Sequence, residues 1–425
     1  MRFSIKTLGC RANQADEEKL SAELCLQGFS PVSFEEEADI YILNTCTVTH
    51  QADSEARSLL RQCRRKNPKS LVIVTGCYAQ VSSEELKKMG EVDWVVGNVE
   101  KVEIARRLKE IYGSKISVSE ERRTCSLHSR AYVKIQDGCN FRCSFCIIPF
   151  ARGKSRSRDI EEIIAEMKNL RNQGTAEAVL TGIHIASFGW DLKPQKTLFD
   201  LMESIAAERP IGRVRLSTLD PDEVTCEMID LMAEDPIFCS HLHLAIQSGV
   251  DSILEKMRRR HRYSHLVEVL TYAKERLPDV NIGCDLICGF PGESEADHQE
   301  TYRRLSKLPL DYIHAFPYSE RKGTAAAGLP DSVLWEVRQH RVRDFVELSA
   351  RKKELFYQSQ LGKRKGVVLE RPVYGTRGMT DNYIPVHFEE KEGIPGMLLP
   401  AILEKMENGK VVGQWDRLPV MRKSA

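Results

Sequence analysis

The sequence predicts an α/β protein of three domains: an N-terminal doubly wound parallel sheet, a central partial (β/α)6 barrel and a small C-terminal antiparallel β-barrel. Short apolar runs alternate with helical stretches over the first hundred residues, six more strand–helix repeats follow, and short strands between Gly and Pro turns occupy the last seventy. Alternation of strands and helices indicates parallel sheets, whereas strands joined by short turns indicate a closed barrel. We place the domains at residues 1–115, 116–357 and 358–425.

The N-terminal domain is expected to begin with a strand at residues 3–8 and a helix at 16–28, which Gly28 ends. Further buried strands are expected at 40–43, 71–74 and 93–96. Parallel strands connected by helices explain apolar runs of this length.

Three cysteines follow the first three strands of this domain directly. They are Cys10, Cys46 and Cys77, and they lie 36 and 31 residues apart. One βαβ unit spans roughly 30 residues, and the carboxyl ends of parallel strands share one edge of the sheet. We therefore expect the three thiols to converge there as a metal-binding cluster. The alternative is that each is a small buried side chain near a strand end.

The central domain carries six predicted strands, and helices alternate with them. The strands are 132–136, 178–181, 213–217, 241–246, 281–287 and 312–316, and the helices are 160–173, 197–208, 222–233, 265–276 and 295–307. Six such repeats are typical of an incomplete TIM-like barrel, whose active site lies at the carboxyl ends of the strands. A long charged helix is expected at 331–357, before three strands at 366–370, 382–386 and 398–402.

The first barrel strand is followed by Cys139, Cys143 and Cys146, in the spacing Cys-x3-Cys-x2-Cys. A cubane iron–sulfur cluster normally takes four cysteines, so three thiolates leave one iron open. A structural zinc site instead closes a tetrahedron with a second pair of ligands, and none follows here. Three thiols grouped by chance in one loop are the alternative reading, which this spacing in a Gly-rich turn disfavours.

The composition predicts in which compartment the protein works and in what state its cysteines are. The chain has 425 residues, of which 42% are hydrophobic and 29% charged, with a net charge of +1. No apolar run approaches the roughly 18 residues that span a membrane, and the N-terminus enters a strand pattern without an export signal. We expect a cytoplasmic protein whose thirteen cysteines are reduced thiols or metal ligands. Basic clusters at 61–66, 152–158, 258–262 and 363–365 fit either nucleic-acid binding or solvated helix faces.

These features together resemble the radical S-adenosylmethionine (SAM) methylthiotransferases over essentially the whole chain. The matching stretches are 44–49 (Asn-Thr-Cys-Thr-Val-Thr), 76–80 (Gly-Cys-Tyr-Ala-Gln), 146–153 and 180–185. In that family the three parts are the methylthiotransferase domain, the radical SAM core and the TRAM domain. Residues 7–14 and 181–184 look most like the bacterial branch that acts on threonylcarbamoyladenosine in tRNA. The isopentenyladenosine branch usually starts with a Tyr-Gly-Cys-Gln-like run, and the ribosomal-protein branch with a Leu-Gly-Cys-Pro-like one.

The resemblance implies a transferase with two [4Fe–4S] clusters. The first would be held by Cys139, Cys143 and Cys146 and would bind SAM at its open iron; the second, sulfur-bearing cluster would be held by Cys10, Cys46 and Cys77. One-electron cleavage of SAM would give a 5′-deoxyadenosyl radical that activates adenine C2, and a second SAM would methylate the sulfur, so that each product consumes two.

The implied substrate is N6-threonylcarbamoyladenosine at position 37 of tRNA, next to the anticodon, and the implied partner is the tRNA anticodon stem-loop. A flavodoxin or ferredoxin would be the reductant, and the sulfur donor stays open. Two alternatives remain: the same chemistry on isopentenyladenosine in tRNA or on a ribosomal-protein aspartate, and a non-catalytic iron–sulfur protein that binds RNA.

Seven further residues are predicted to contact SAM. They are Thr181, Gly182, Ile183 and His184 after the second barrel strand, Ser217 and Gln247 at the next strand ends, and Arg258 as a partner of the SAM carboxylate. Strand-end hydrogen bonding and a solvated basic turn are the alternatives. Arg152, Lys154 and Arg156 are predicted to contact tRNA phosphates.

The remaining cysteines are predicted to fill the core or a pocket: Cys25, Cys63, Cys125, Cys226, Cys239, Cys284 and Cys288. His241 and His243 alternate on one strand like a metal pair, but no third ligand lies near them in the sequence. We therefore predict a structural role for both histidines.

Overall fold

The computed structural model of the protein describes residues 1–113, 129–370, 376–389 and 393–416. The expected domain boundary between residues 115 and 116 lies outside these residues. The expected boundary at 357 falls in the last turn of a helix, Trp335–Ser359.

The N-terminal part is a five-stranded sheet with the order β2-β1-β3-β4-β5, in which every pairing is parallel. Its elements are β1 (Arg2–Thr7), α1 (Arg11–Leu26), β2 (Ser30–Pro31), β3 (Ile40–Thr45), α2 (His50–Lys66), β4 (Leu71–Gly76), α3 (Cys77–Val81), α4 (Ser83–Lys87), β5 (Trp94–Val95) and α5 (Ile104–Tyr112). This confirms the doubly wound sheet.

The central strand β3 is buried along its whole length because helices cover both faces of the sheet. Tyr41 and Leu43 pack on one face with Leu60 of α2, and Ile42 packs on the other face with Leu24 of α1. Helix α1 begins five residues earlier than the sequence predicted, directly after an extended Cys10.

Six parallel strands form the central partial barrel and confirm that prediction. They pair as β10-β9-β6 and β11-β12-β13, and parallel bridges from Val214 to Phe238 and from Leu219 to Leu244 join the two groups. The elements are β6 (Arg130–Lys134), β7 (Gln136–Asp137), α6 (Ile148–Arg152), β8 (Arg156–Ser157), α7 (Ile160–Asn172), β9 (Glu177–Thr181), α8 (Leu198–Glu208), β10 (Arg213–Leu216), α9 (Cys226–Glu234), β11 (His241–Gln247), α10 (Asp251–Lys256), α11 (Tyr263–Arg276), β12 (Asn281–Cys288), α12 (Glu295–Lys307), β13 (Tyr312–Pro317) and α13 (Trp335–Ser359).

The C-terminal part is a closed barrel with the strand order β14-β15-β16-β18-β17, as predicted. Its strands are β14 (Arg364–Glu370), β15 (Thr376–Thr380), β16 (Pro385–Phe388), β17 (Leu398–Glu407) and β18 (Lys410–Trp415). All pairs are antiparallel except β16 with β18, which is parallel. The sequence did not predict β15 and β18.

This closed barrel covers the N-terminal ends of the central strands. Arg213 donates to the carbonyl oxygens of Gly366 and Met379, and Arg215 donates to those of Thr380 and Asp381. The closed barrel therefore lies at the end of the central strands that is opposite to their carboxyl ends.

Helix α1 lies against β6, the edge strand of the central barrel. The Glu18 carboxylate accepts a hydrogen bond from the Tyr132 amide, and Lys134 pairs with Asp16. Helix α3, which begins at Cys77, also packs against α6. These contacts bring the cysteine-bearing edge of the N-terminal sheet to the central barrel.

Most of the remaining cysteines are buried, as predicted: Cys63, Cys239, Cys284 and Cys288. The prediction is wrong for Cys226, which is exposed at the start of α9. Cys25 packs partly buried against the N-terminal core, but it is bonded in a disulfide, so the expectation that the cysteines are reduced thiols or metal ligands is wrong for this residue. Cys125 lies outside the described residues. Within the part of the chain that the structure describes, no helix is long and apolar enough to cross a membrane.

Candidate functional site

The structure brings the three strand-end cysteines of the N-terminal sheet together. Cys10 follows β1, Cys46 follows β3 and Cys77 opens the helix after β4, and these strands are neighbours in the sheet. Gly9 adopts a φ of +91°, and a Cβ atom there would lie 2.7 Å from Cys46 Sγ, so the turn requires glycine. Burial, with a smaller contribution from the neighbouring thiols of Cys77 and Cys10, raises the pKa of the Cys46 thiol to about 12.

The second group of thiols lies in the loop between β7 and α6. The Cys139 amide donates to Gly153 O at 3.0 Å, which closes the loop on itself. Burial raises the pKa of Cys139 to about 11 and that of Cys146 to about 12, and in both cases the Cys143 thiol nearby adds to the rise. The three thiols of this loop are therefore close to one another, and burial disfavours the charged forms of Cys139 and Cys146.

The serine inside this loop anchors it to the rest of the barrel. The Ser144 amide donates to Met257 O at 3.0 Å and its hydroxyl donates to Lys256 O at 2.7 Å, while Ser144 O accepts from the Ala326 amide at 2.7 Å. The loop is thus fixed from two later segments of the chain.

The donor sets suit iron–sulfur clusters better than single metal ions. In a tetrahedral zinc site with Zn–S bonds of about 2.3 Å, the sulfur atoms lie roughly 3.8 Å apart. Among the described residues, the triplets of metal-ligating side chains with all donor atoms within 4.8 Å are His243, Asp285 and His314, and His184, Asp220 and Glu223. Neither thiol triad is that tight. Three thiolates in each triad fit a cubane with one iron left open.

Arg152 connects the two thiol triads. Its side chain is fully buried; it donates to Asp137 at 2.8 Å and pairs with Asp16 at 3.3 Å. Burial would lower the pKa of Arg152, but the charges of Cys77, Asp137 and Asp16 raise it well above its usual value. The prediction that Arg152 contacts tRNA phosphates is therefore wrong, while Lys154 is exposed, as that role requires.

Gln136 holds the turn after β9 and was missed by the sequence analysis. Its Oε1 accepts from the Ile183 amide at 3.2 Å and the His184 amide at 2.9 Å, and its Nε2 donates to Gly138 O at 2.7 Å. A Cβ atom on Gly182 would lie 2.7 Å from Gln136 O. The amides of this turn are thus used within the protein. No sequence signal marks a lone glutamine after a strand.

His184 is held as a cation by two carboxylates. Its Nε2 donates to Asp220 at 2.9 Å and lies 3.1 Å from Glu223 Oε2. Burial would lower the pKa of His184, but the hydrogen bonds to Asp220 and Glu223 raise it to about 9. A protonated imidazole cannot ligate a metal ion, so this triplet is an ion-pair cluster.

Arg259 faces the second thiol triad, whereas the predicted Arg258 is exposed. Arg259 Nη1 donates to Cys143 Sγ at 3.5 Å, and Nη2 pairs with Asp220 and donates to Ala245 O at 3.0 Å. A sequence with three arginines in a row does not tell which one turns inward.

The two predicted strand-end residues lie on neighbouring central strands. Ser217 follows β10, is buried, and its amide donates to Leu180 O at 3.0 Å. Gln247 ends β11 with a φ of +62°. Their contact with SAM stays a prediction.

Exposed aromatic rings surround the loop of Cys139. Phe150 is 60% exposed and Trp190 44% exposed. The Phe141 ring lies 6.2 Å from the Trp190 ring. The Arg260 guanidinium lies over the Phe141 ring, 4.1 Å from its centre. This combination of rings and cations at a rim is typical of surfaces that stack nucleic-acid bases.

The fold and the Cys-x3-Cys-x2-Cys loop define a radical SAM enzyme. Residues 133–305 match the model of the "Radical SAM superfamily", and residues 2–97 match that of "Uncharacterized protein family UPF0004". The fold is similar to that of the radical SAM methyltransferase TsrM from Kitasatospora setae, with a TM-score of 0.54 and 16% identity over 74% of each chain. It is also similar to the cobalamin-dependent radical enzyme OxsB, with a TM-score of 0.50 and 11% identity over 81% of this chain and 56% of that one.

Several known proteins are similar to this chain over nearly its whole length. Threonylcarbamoyladenosine tRNA methylthiotransferase MtaB of Aquifex aeolicus is 39% identical over 92% of this chain and 97% of its own. MtaB of Bacillus subtilis is 34% identical over 98% and 96%, and tRNA-2-methylthio-N(6)-dimethylallyladenosine synthase of Dictyoglomus thermophilum is 34% identical over 95% and 96%. The chain belongs to the radical SAM tRNA methylthiotransferase family. It is a transferase, which removes the alternative of a non-catalytic scaffold.

Proposed function

We propose that this enzyme inserts a methylthio group at C2 of N6-threonylcarbamoyladenosine at position 37 of tRNA. The observation that carries the proposal is the pair of separate thiol triads, joined by the buried Arg152 and by the packing of α3 on α6. We assign one [4Fe–4S] cluster to Cys139, Cys143 and Cys146 and another to Cys10, Cys46 and Cys77. The names of the MtaB relatives support the threonylcarbamoyl substrate, and the dimethylallyladenosine relative keeps isopentenyladenosine as the second candidate.

When bound, the two clusters and two SAM molecules per product supply radical and sulfur chemistry that no side chain can perform. The protein's part is to hold and orient them. Each triad offers three thiols, so a cubane held there would keep one iron free for a ligand that is not protein. Because burial and mutual proximity disfavour the charged thiolates of Cys46 and Cys146, cluster assembly must displace their protons. A flavodoxin or ferredoxin remains the predicted reductant.

Arg259 orients one thiol of the SAM-binding triad. Its guanidinium contacts Cys143 Sγ and is itself fixed by Asp220. We assign the turn of Gly182 and Ile183, with Ser217 and Gln247, to the polar ends of SAM, and Gln136 to holding that turn in place.

The exposed rings around the Cys139 loop are proposed to receive the tRNA anticodon loop. An enzyme that acts on a base must take it out of the stack, and aromatic rings compensate by stacking on the bases. Phe150 and Trp190 provide such rings, and the exposed Lys154 and Arg156 provide cations for phosphate.

Substitution of Trp190 by alanine is expected to weaken tRNA binding by about 5- to 150-fold, because stacking of one base contributes about 1–3 kcal/mol. SAM cleavage without tRNA should not change. Fluorescence anisotropy with a labelled anticodon stem-loop measures the effect. Leu355→Ala removes another exposed apolar side chain, far along α13, and serves as the matched control. Equal affinities of the two variants would contradict this role of Trp190.

The substrate is tested by mass spectrometry of tRNA nucleosides from a strain that lacks the gene. We expect the methylthio derivative of threonylcarbamoyladenosine to disappear and its precursor to accumulate. Disappearance of methylthio-isopentenyladenosine instead would establish the second candidate. Unchanged levels of both nucleosides would contradict a tRNA substrate of either kind.

A further inference from the structure

A group of polar and aromatic side chains lies inside the central barrel, apart from the thiol triads. It combines residues from all three parts of the chain: Arg11, His241, His243, Asp285, Tyr312, His314 and Tyr383. The thiol chemistry and the assigned SAM contacts do not use it.

Four of these residues form a directed hydrogen-bond chain, and His314 lies beside its last member, Asp285. The Tyr312 hydroxyl lies 2.8 Å from His241 Nε2 and 2.9 Å from His243 Nδ1, and His243 Nε2 lies 2.9 Å from Asp285. Burial lowers the pKa of both histidines, so they are neutral. His241 then donates to Tyr312, Tyr312 to His243, and His243 to Asp285, while His314 lies 3.6 Å from Asp285.

This chain is not a metal site, although His243, Asp285 and His314 have donor atoms close enough for one. Both ring nitrogens of His243 are occupied, one by Tyr312 and one by Asp285. The chain begins at the buried His241, and the half-exposed His314 lies beside its far end, Asp285. The chain and His314 therefore form a polar wall that is exposed at His314.

Arg11 faces this wall and has no carboxylate partner. Its Nη2 lies 3.4 Å from the Tyr383 hydroxyl, and its charge acts on His241, His243 and Tyr312. In the described ranges of the chain, no acidic side chain pairs with it, and Asp285 is already bound by His243. A half-buried guanidinium without an anion is ready to bind one.

Tyr383 is presented to the same space by a strained turn. Its φ of +63° is unfavourable for a side chain of this size. The ring lies 4.6 Å from the His241 ring and 5.1 Å from the Arg215 guanidinium. The closed C-terminal barrel thus contributes a phenol hydroxyl beside Arg11.

We propose that Arg11 binds the carboxylate of the threonylcarbamoyl substituent and thereby selects an anionic N6 substituent over an apolar one; this rests on the proposed function. The N6 atom is bonded to C6 of adenine, and C6 is two bonds from C2, the carbon that receives the sulfur. The group that binds the N6 substituent must therefore lie close to the sulfur-bearing triad. Arg11 directly follows Cys10. A guanidinium binds a carboxylate through two parallel hydrogen bonds, and the Tyr383 hydroxyl can add a third.

The test compares holoenzyme variants on two synthetic anticodon stem-loops, one with threonylcarbamoyladenosine and one with its methyl ester, which has no charge. For Arg11→Gln we expect kcat/KM on the acid to fall on the order of 100-fold and on the ester by less than about threefold. Arg11→Lys should restore part of the loss, since it keeps the charge. Arg106→Gln, on the exposed face of α5, is the matched control.

The iron content of Arg11→Gln should equal that of the wild type, which separates a substrate contact from misfolding. Equal losses on acid and ester, or no loss on either, would overturn the role of Arg11 while leaving the proposed function intact. A wild-type enzyme that modifies only an isopentenyladenosine stem-loop would overturn the proposed function, and this inference with it.

Discussion

Cys143→Ala is expected to abolish reductive cleavage of SAM, whereas Cys46→Ala is expected to keep SAM cleavage and lose only methylthiolation. The two thiols belong to separate triads, one in the barrel loop and one at the edge of the N-terminal sheet. Each variant should keep about four irons per chain, because it retains one cubane of the two. Formation of 5′-deoxyadenosine and of modified nucleoside, measured in the same reaction, separates the two effects.

Cys226→Ser is the matched control, because Cys226 is an exposed thiol with no assigned role. It should retain both activities and the full iron content. SAM cleavage by Cys143→Ala, or its complete loss in a folded Cys46→Ala protein, would contradict the assignment of the two triads to different tasks.

Glu177→Gln is expected to lower the free energy of unfolding by about 3–5 kcal/mol, the usual effect of breaking a buried ion pair on one side. The Glu177 carboxylate is fully buried; it lies 2.6 Å from Arg213 and 2.9 Å from Arg215, with Arg130 at 3.9 Å. Without the carboxylate, the guanidiniums of Arg213 and Arg215 would be buried without a counter-charge, whereas Arg130 would keep its ion pair with Glu370. Because Arg213 and Arg215 also hold the C-terminal barrel, its attachment should weaken as well. Urea unfolding measures the change.

The ion pairs of Glu177 with Arg213 and Arg215 also predict that the stability of the protein depends on pH in acid. Burial alone would raise the pKa of Glu177, but Arg213 and Arg215 hold it at about 2, below the ordinary 4.5. A carboxyl group with a lowered pKa in the folded state stabilises the protein above pH 4.5, and the contribution is lost as the pH falls through 2. Wild-type stability should therefore fall more steeply over this range than that of Glu177→Gln.

Glu161→Gln, on the exposed face of α7, is the control for both measurements and should change stability by less than about 0.5 kcal/mol. If Glu177→Gln matched this control in urea at neutral pH, the buried ion pair would have no net stabilising role.

Local sequence patterns were sufficient to predict the fold class and the grouping of the thiols. The apolar run of β3 and the cysteine after each neighbouring strand can be read from a few consecutive residues. Because the strands are parallel, their carboxyl ends share one edge of the sheet, and the cysteines meet there. Strand β15 was missed because Thr376–Thr380 has a glycine and no apolar alternation; its pairing with β14 and β16 makes it a strand.

Side-chain direction and long-range pairing could not be predicted in the same way. Arg152 belongs to a run of basic residues that is typical of an exposed surface. It is nevertheless buried, and its partner Asp16 lies 136 residues away in the sequence. Arg259 and Arg258 are equivalent in sequence, and only the backbone turn decides which of them meets Cys143. The environment of Arg11 likewise depends on Tyr383, 372 residues away.

One chain is proposed to bind two iron–sulfur cubanes, each through three cysteines. Iron and acid-labile sulfide analysis of anaerobically reconstituted wild-type protein tests it most directly. We predict about eight irons and eight sulfides per chain. A saturating content of about four of each would contradict the account, because only one of the two triads would then carry a cluster.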